Sequence, residues 1–189
     1  MSDYLLFAGA FLASAIAPGA DTFLILSRAI SDKRLAIAAA AGITTGKVLM
    51  VSIAYLGLAA LLQANGELLL VLKILGASFL IYKAFRFWSA DRVEPLDRKG
   101  SEFLAAFAIG FSNPQPLAFY LSVVPVVVGT TQLPLLIGIV ILGFSTVSAL
   151  YIFLASRISK WLEKESNFRV VNKVLALVFL ALAVIVVTR

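Results

Sequence analysis

One carboxylate, Asp21, follows the helix-breaking pair Pro18-Gly19 inside an otherwise apolar stretch, and one ammonium, Lys47, interrupts the next such stretch. A carboxylate within a membrane span costs at least about 2.5–3.5 kcal/mol, so a chain that keeps one there has a partner or a task for it. Farther on, Asn113-Pro114-Gln115-Pro116 breaks another apolar run. Proline removes a backbone hydrogen bond and clashes with the carbonyl one turn earlier, and the freed groups must find partners in protein or in a wet cavity. The two breaks are therefore candidate walls of one site. Asn113 before Pro114 has the order of an N-cap followed by a first helical residue, and Asp21 is expected to cap a half-helix starting at Thr22 in the same way. Tyr55, Tyr82, Tyr120 and Tyr151, with Ser145, Thr146 and Ser148, could line a cavity, although hydroxyls in membrane helices commonly bond back to their own turn.

Cysteine and histidine are absent. Thiolate redox chemistry, disulfides, haem ligation and the commonest transition-metal ligands are excluded with them, so neither a cofactor nor a metal is expected. The residue types usual for an intramembrane protease base or a dithiol electron carrier are missing too, which argues against an enzyme.

The elements that must position these residues are transmembrane helices. The chain is 61% hydrophobic and only 14% charged, too apolar for a water-soluble fold of this length. Hydropathy predicts an all-α membrane bundle of six helices in one domain, at roughly 4–27, 36–62, 68–86, 103–129, 133–156 and 170–188. The first 20 residues lack the basic region of a cleaved leader and are expected to belong to the first helix. Continuous runs of about 20 apolar residues exclude the alternating strands of a barrel. Arg28, Lys33 and Arg34, then Lys83, Arg86, Arg92, Arg98 and Lys99, then Arg157, Lys160, Lys164, Arg169 and Lys173 follow helices one, three and five. The positive-inside rule makes these segments cytoplasmic and puts both termini outside. Basic residues spread among connecting segments, diluted by Asp91, Glu94, Asp97, Glu163 and Glu165, do not form a nucleic-acid patch.

Three spans per half make any similarity between the halves one of inverted topology, with helices one and four as the broken pair. At about 1.5 Å per residue, Asp21 lies roughly 10 Å and Asn113 roughly 15 Å from the cytoplasmic face, so the half-helices would present their amino ends near the midplane from opposite sides. Those ends suit an anion such as a substrate carboxylate. Lys47 falls at similar depth, where two readings stand: an ion pair with Asp21, or a contact to substrate. Lys73 lies nearer the outer end of its helix and is expected to snorkel. Gly42 and Gly46 form a small-xxx-small pattern, a feature of close helix approach.

Pro18-Gly19-Ala20-Asp21-Thr22, the spacing of Gly42 and Gly46, and Asn113-Pro114, taken in order along the chain, resemble the lysine exporter (LysE/RhtB) family of bacterial amino-acid efflux proteins. The resemblance implies a secondary transporter of the bacterial inner membrane. It would export an amino acid or derivative, a small zwitterionic solute, against inward movement of protons, with lipid around it and a homo-oligomer allowed. It further implies a functional centre at Pro18, Gly19, Asp21, Thr22, Asn113 and Pro114, near which Lys47 and Tyr120 are added from their positions. Two positions depart from the family pattern: Ala20 stands where a second proline is usual, and Lys47 where a small or acidic residue is, which argues against a cationic substrate. An exporter of an inorganic or metal cation is the alternative, and few intramembrane carboxylates are present to serve it.

Overall fold

The computed structural model describes residues 3–64, 68–89, 102–112, 114–127, 129, 131–162 and 164–188. Nine helices are found among them: α1 (Asp3–Ile16), α2 (Ala20–Ser31), α3 (Lys33–Ala64), α4 (Leu68–Trp88), α5 (Glu102–Ser112), α6 (Pro114–Val127), α7 (Leu133–Phe153), α8 (Ala155–Leu162) and α9 (Glu165–Thr188). Helices α3, α7 and α9 are each long and apolar enough to cross a bilayer. Helices α1 and α2, bent by 54° at their break, make a fourth crossing if counted as one span. The exterior is apolar as well as the core: Phe153, Leu142 and Phe85 are 79%, 71% and 67% exposed. Such side chains belong against lipid, not water.

Pro18-Gly19 breaks the first span as its sequence predicts. The second break coincides with the end of α5 at Ser112 and the start of α6 at Pro114; proline is tolerated at a first helical position because its missing N–H would have no intrahelical partner there. Asn113 itself, like the basic residues Arg92, Arg98 and Lys99, lies outside the described residues.

Several boundaries differ from the hydropathy reading: the first span runs on to Ser31 and the second begins at Lys33, and two further shifts have a physical reason. The fifth span ends at Phe153, and Leu154 (φ −100°, ψ 13°) separates it from the short helix α8. Arg157 and Lys160 alternate there with Ile158, Trp161 and Leu162 at helical spacing, which gives an amphipathic helix suited to the membrane surface. Its Ile158 and Leu162 pack on a small core of Leu26, Ala29, Ala36 and Ala155. Helix α9 begins at Glu165, a turn before its apolar run, because polar residues complete that turn: Arg169 bonds Glu165 at 2.6 Å, and the Asn167 side-chain amide donates to the Trp161 carbonyl at 2.9 Å.

Helix α3 packs along α5, and α4 along α9. The α3–α5 contact is backbone on backbone. A Cβ on Gly46 would lie 2.7 Å from the Phe111 nitrogen, and one on Gly110 would lie 2.6 Å from the Ile43 carbonyl oxygen. Only glycine admits that approach, so the small-xxx-small pattern serves α5. Hydroxyls tie other elements together: Ser122 on α6 donates to Gly76 O on α4 at 3.0 Å, and Tyr55 on α3 to Thr131 O at 3.0 Å.

Candidate functional site

The break in the first span gives the site its shape. Gly19, with extended backbone (φ −165°, ψ −173°), takes the N-cap position of α2 and makes no side-chain capping bond. Asp21 is therefore not the cap that the sequence led us to expect. It sits in the first turn of a helix that begins at Ala20, one turn of the backbone being closed by Phe23 N–H donating to Gly19 O at 2.9 Å. A carboxylate in that turn is favoured by the positive end of the helix dipole. The carbonyls freed at the end of α1 are satisfied by side chains: the Tyr151 hydroxyl donates to Ile16 O at 2.7 Å and the Thr22 hydroxyl to Ala17 O at 3.1 Å.

Asp21 turns to Lys47. The Lys47 Nζ lies 2.6 Å from the Asp21 carboxylate, and the two side chains are only 6% and 14% exposed. The ammonium also lies 4.9 Å from the ring centroid of Phe144 on α7, a cation–π contact. A pair so far removed from water loses hydration at each charge and persists because the geometry is close and other partners complete it. Asp21 has further interactions besides this one.

A small cavity runs beside the pair. Ser14, Gly19, Asp21, Thr22, Lys47 and Pro116 are among its walls, so α1, α2, α3 and the beginning of α6 meet there. Its volume of about 10 Å³ is room for roughly one water molecule and not for an amino acid. Of the residues singled out from sequence, Gly19, Asp21, Thr22 and Lys47 come together around this space. Pro18 is half-buried in the break, and Pro114 opens α6. Tyr120 is fully buried one helix away, stacked on Phe7 at 6.4 Å and edge-on to Phe119 at 5.5 Å. It lies near enough to feel the Asp21 charge, and its hydroxyl has no hydrogen-bond partner.

Sequence reasoning missed Ser14, Pro116 and Phe144 as neighbours of the pair and Tyr151 as the donor that closes the end of α1. It also missed a second ion pair. Arg28 in the last turn of α2 meets Glu102 in the first turn of α5 at 3.0 Å, where the acidic residue again suits the helix amino end. The signal for Pro116 was present in the doubled proline of Asn113-Pro114-Gln115-Pro116; the others carry none in their local sequence.

Comparison with known proteins identifies the family. Two relatives named homoserine/homoserine lactone efflux protein, from Salmonella typhimurium (strain LT2) and Salmonella typhi, are each 26% identical over 178 residues, covering 87% of this chain and 86% of the relative. No solved structure matches the chain. The profile of the LysE type translocators matches residues 12–189, and on that match the chain belongs to the LysE type translocator family, as a membrane transporter rather than an enzyme.

Proposed function

We propose that the chain exports a small amino acid or amino-acid derivative of no net charge from the cytoplasm, driven by inward movement of protons. The observation that carries this reading is the Asp21–Lys47 pair, 2.6 Å apart, walled into a cavity where a broken helix meets the start of α6. The pair has the charges of a zwitterion. A solute carboxylate can replace Asp21 at Lys47, its ammonium can replace Lys47 at Asp21, and the empty site closes by letting the two residues meet. Homoserine, named for the relatives, is a zwitterion, which the site would admit only by opening, and Asp21 is the group that would carry the proton.

Alternating access between inverted halves supplies the motion. In this reading the six spans are α1 with α2, α3, α4, α5 with α6, α7 and α9, forming one transport unit. Exchange of the halves maps the α3–α7 and α4–α9 contacts onto themselves and α3–α5 onto α7–α1, and all four are packed pairs. This supports a repeat, although among the described residues α2 packs on α3 and α4 on α6 without comparable pairs between α6 and α7 or between α9 and α2. Arg28, Lys33, Arg34, Arg157 and Lys160 mark the cytoplasmic end, which puts both termini outside the inner membrane.

The test is efflux from cells preloaded with labelled homoserine, homoserine lactone, threonine or lysine, with and without an uncoupler. Gene-dependent loss of a net-neutral solute that stops with the uncoupler is expected. Export of lysine alone, or export unaffected by the uncoupler, would overturn the substrate class or the coupling respectively.

A further inference from the structure

A second and far larger space lies behind the ion pair. Between α3 and α7 runs a groove of about 560 Å³, within the roughly 300–1,000 Å³ usual for small-molecule sites. Among the described residues, no charged side chain lines it. Its polar atoms are hydroxyls. Thr44 and Thr45 donate to the carbonyls of Ala40 and Ala41 at 2.7 and 2.9 Å, which leaves their oxygens able to accept. Ser148 is 2% exposed, lines the groove and has no hydrogen-bond partner. A buried hydroxyl without a partner costs stability, so it is a position where a ligand would make good the missing bond.

The groove adjoins the site through two residues. Lys47 stands between Thr44 and Val48 of one wall on α3, and Phe144 stands one residue before Ser145 and one turn before Ser148 on the other. Phe144 is itself 2% exposed and does not line the groove; its ring carries the Lys47 ammonium on its face.

We infer that this groove is a vestibule on the loading side, which holds the exported solute between its hydroxyls and its aliphatic walls before Phe144 moves and admits it to Lys47 and Asp21. The inference rests on the proposed export function and adds to it a second binding site and a ligand class. The walls fit a net-neutral solute with a short aliphatic part and a hydroxyl or carbonyl group that reaches Ser148. A cationic side chain finds no carboxylate there. Residues 37–48 of α3 and 141–152 of α7 belong to the halves of these helices nearest the basic segments, so the vestibule opens on the side from which an exporter loads.

The chain has no cysteine, so single cysteines report directly. In inside-out vesicles, Ser145→Cys is expected to react with a membrane-impermeant charged thiol reagent. Saturating homoserine or homoserine lactone should slow that reaction about threefold or more by occupancy, while lysine should not, and a Lys33→Cys control should react without protection. Ser148→Ala should raise KM for the exported solute about fivefold, the worth of one hydrogen bond, while leaving detergent melting unchanged or higher. Reaction of Ser145→Cys only with a lipid-soluble maleimide would make the groove a lipid site. Disulfide-linked dimers of that variant would make it a face between two copies, and reaction without protection by any exported solute would remove the binding role. Each of these overturns the vestibule. Uptake of labelled homoserine by the unmodified protein into the same inside-out vesicles, where export runs inward, separates this failure from that of the export reading, since absence of all amino-acid uptake removes the latter whatever the cysteine does.

Discussion

Arg28 Nε lies 3.0 Å from both carboxylate oxygens of Glu102, which joins the last turn of α2 to the first turn of α5. In the proposed topology these two half-helices lie on the cytoplasmic side, where the contact would latch the closed state. Partly exposed ion pairs contribute only about 0–1 kcal/mol to stability, which suits a contact that must open in every cycle. Glu102→Gln is therefore expected to lower the melting temperature little, yet to speed several-fold the modification of a Ser14→Cys reporter in the inner cavity by a thiol reagent applied from the cytoplasm. An unchanged rate would leave the pair as ordinary surface pairing.

Orientation is tested by the same chemistry. Ser156→Cys on α8 is expected to resist an impermeant thiol reagent in intact cells and to react in inside-out vesicles, whereas Gly129→Cys should do the opposite. The reverse pattern would invert the topology and turn the proposed exporter around.

The α3–α5 contact predicts a stability effect separable from transport. Gly46→Ala puts a Cβ 2.7 Å from the Phe111 nitrogen, where backbone cannot give way cheaply. Overpacking of this kind costs about 1–3 kcal/mol, to be seen as a lower melting temperature in detergent. Gly57→Ala, where nothing lies within 4 Å, is the matched control on the same helix and should melt as the parent does or slightly higher.

Much of this site could be read before any fold was known, because its parts are local. Pro18-Gly19 breaks a helix wherever it stands, and an isolated Asp21 or Lys47 in an apolar run demands a partner. Whether they partner each other could not be read. The residues are 26 apart in sequence, and their 2.6 Å contact depends on how α2 leans on α3. The same holds for Arg28 with Glu102 and for Tyr151 with Ile16, 74 and 135 residues apart. Helix α8 was hidden for another reason: hydropathy averaged over about 19 residues sees the apolar part of a span, and eight residues with one apolar stripe average out to a polar loop. The capping role expected of Asp21 failed because Gly19 could adopt the extended cap conformation itself, freeing the carboxylate to turn toward Lys47.

Tyr120 distinguishes a structural ring from a working hydroxyl. Its phenol is buried without a hydrogen-bond partner, so Tyr120→Phe removes an unsatisfied group and should leave the protein as stable or more stable. If the hydroxyl serves solute or proton near Asp21, the same variant should lose export by about tenfold, the effect of roughly 1.4 kcal/mol in the rate-limiting barrier. Full export by Tyr120→Phe would confine the residue to its stack with Phe7 and Phe119.

In the proposed mechanism Asp21 and Lys47 bind the solute and carry the proton, and their variants separate these two roles. Asp21→Asn leaves a buried ammonium with only the face of Phe144 and its remaining neighbours, so it should destabilise the protein by about 3–5 kcal/mol, and Lys47→Met in the same chain should restore most of the yield. That restoration tests the pair alone. Transport tests the proton: an exporter driven through Asp21 should lose gradient-driven net efflux in Asp21→Asn and in the double variant, while exchange of internal for external solute persists in Asp21→Asn at a raised KM, because exchange needs no net proton movement and Lys47 still holds the solute carboxylate. Lys47→Met alone should keep proton coupling and raise KM for solutes with a free carboxylate, with little change for homoserine lactone, which has none. Net efflux by a stable Asp21→Asn, Lys47→Met protein that still collapses with the uncoupler would move the proton to another residue and leave Asp21 only a counter-ion.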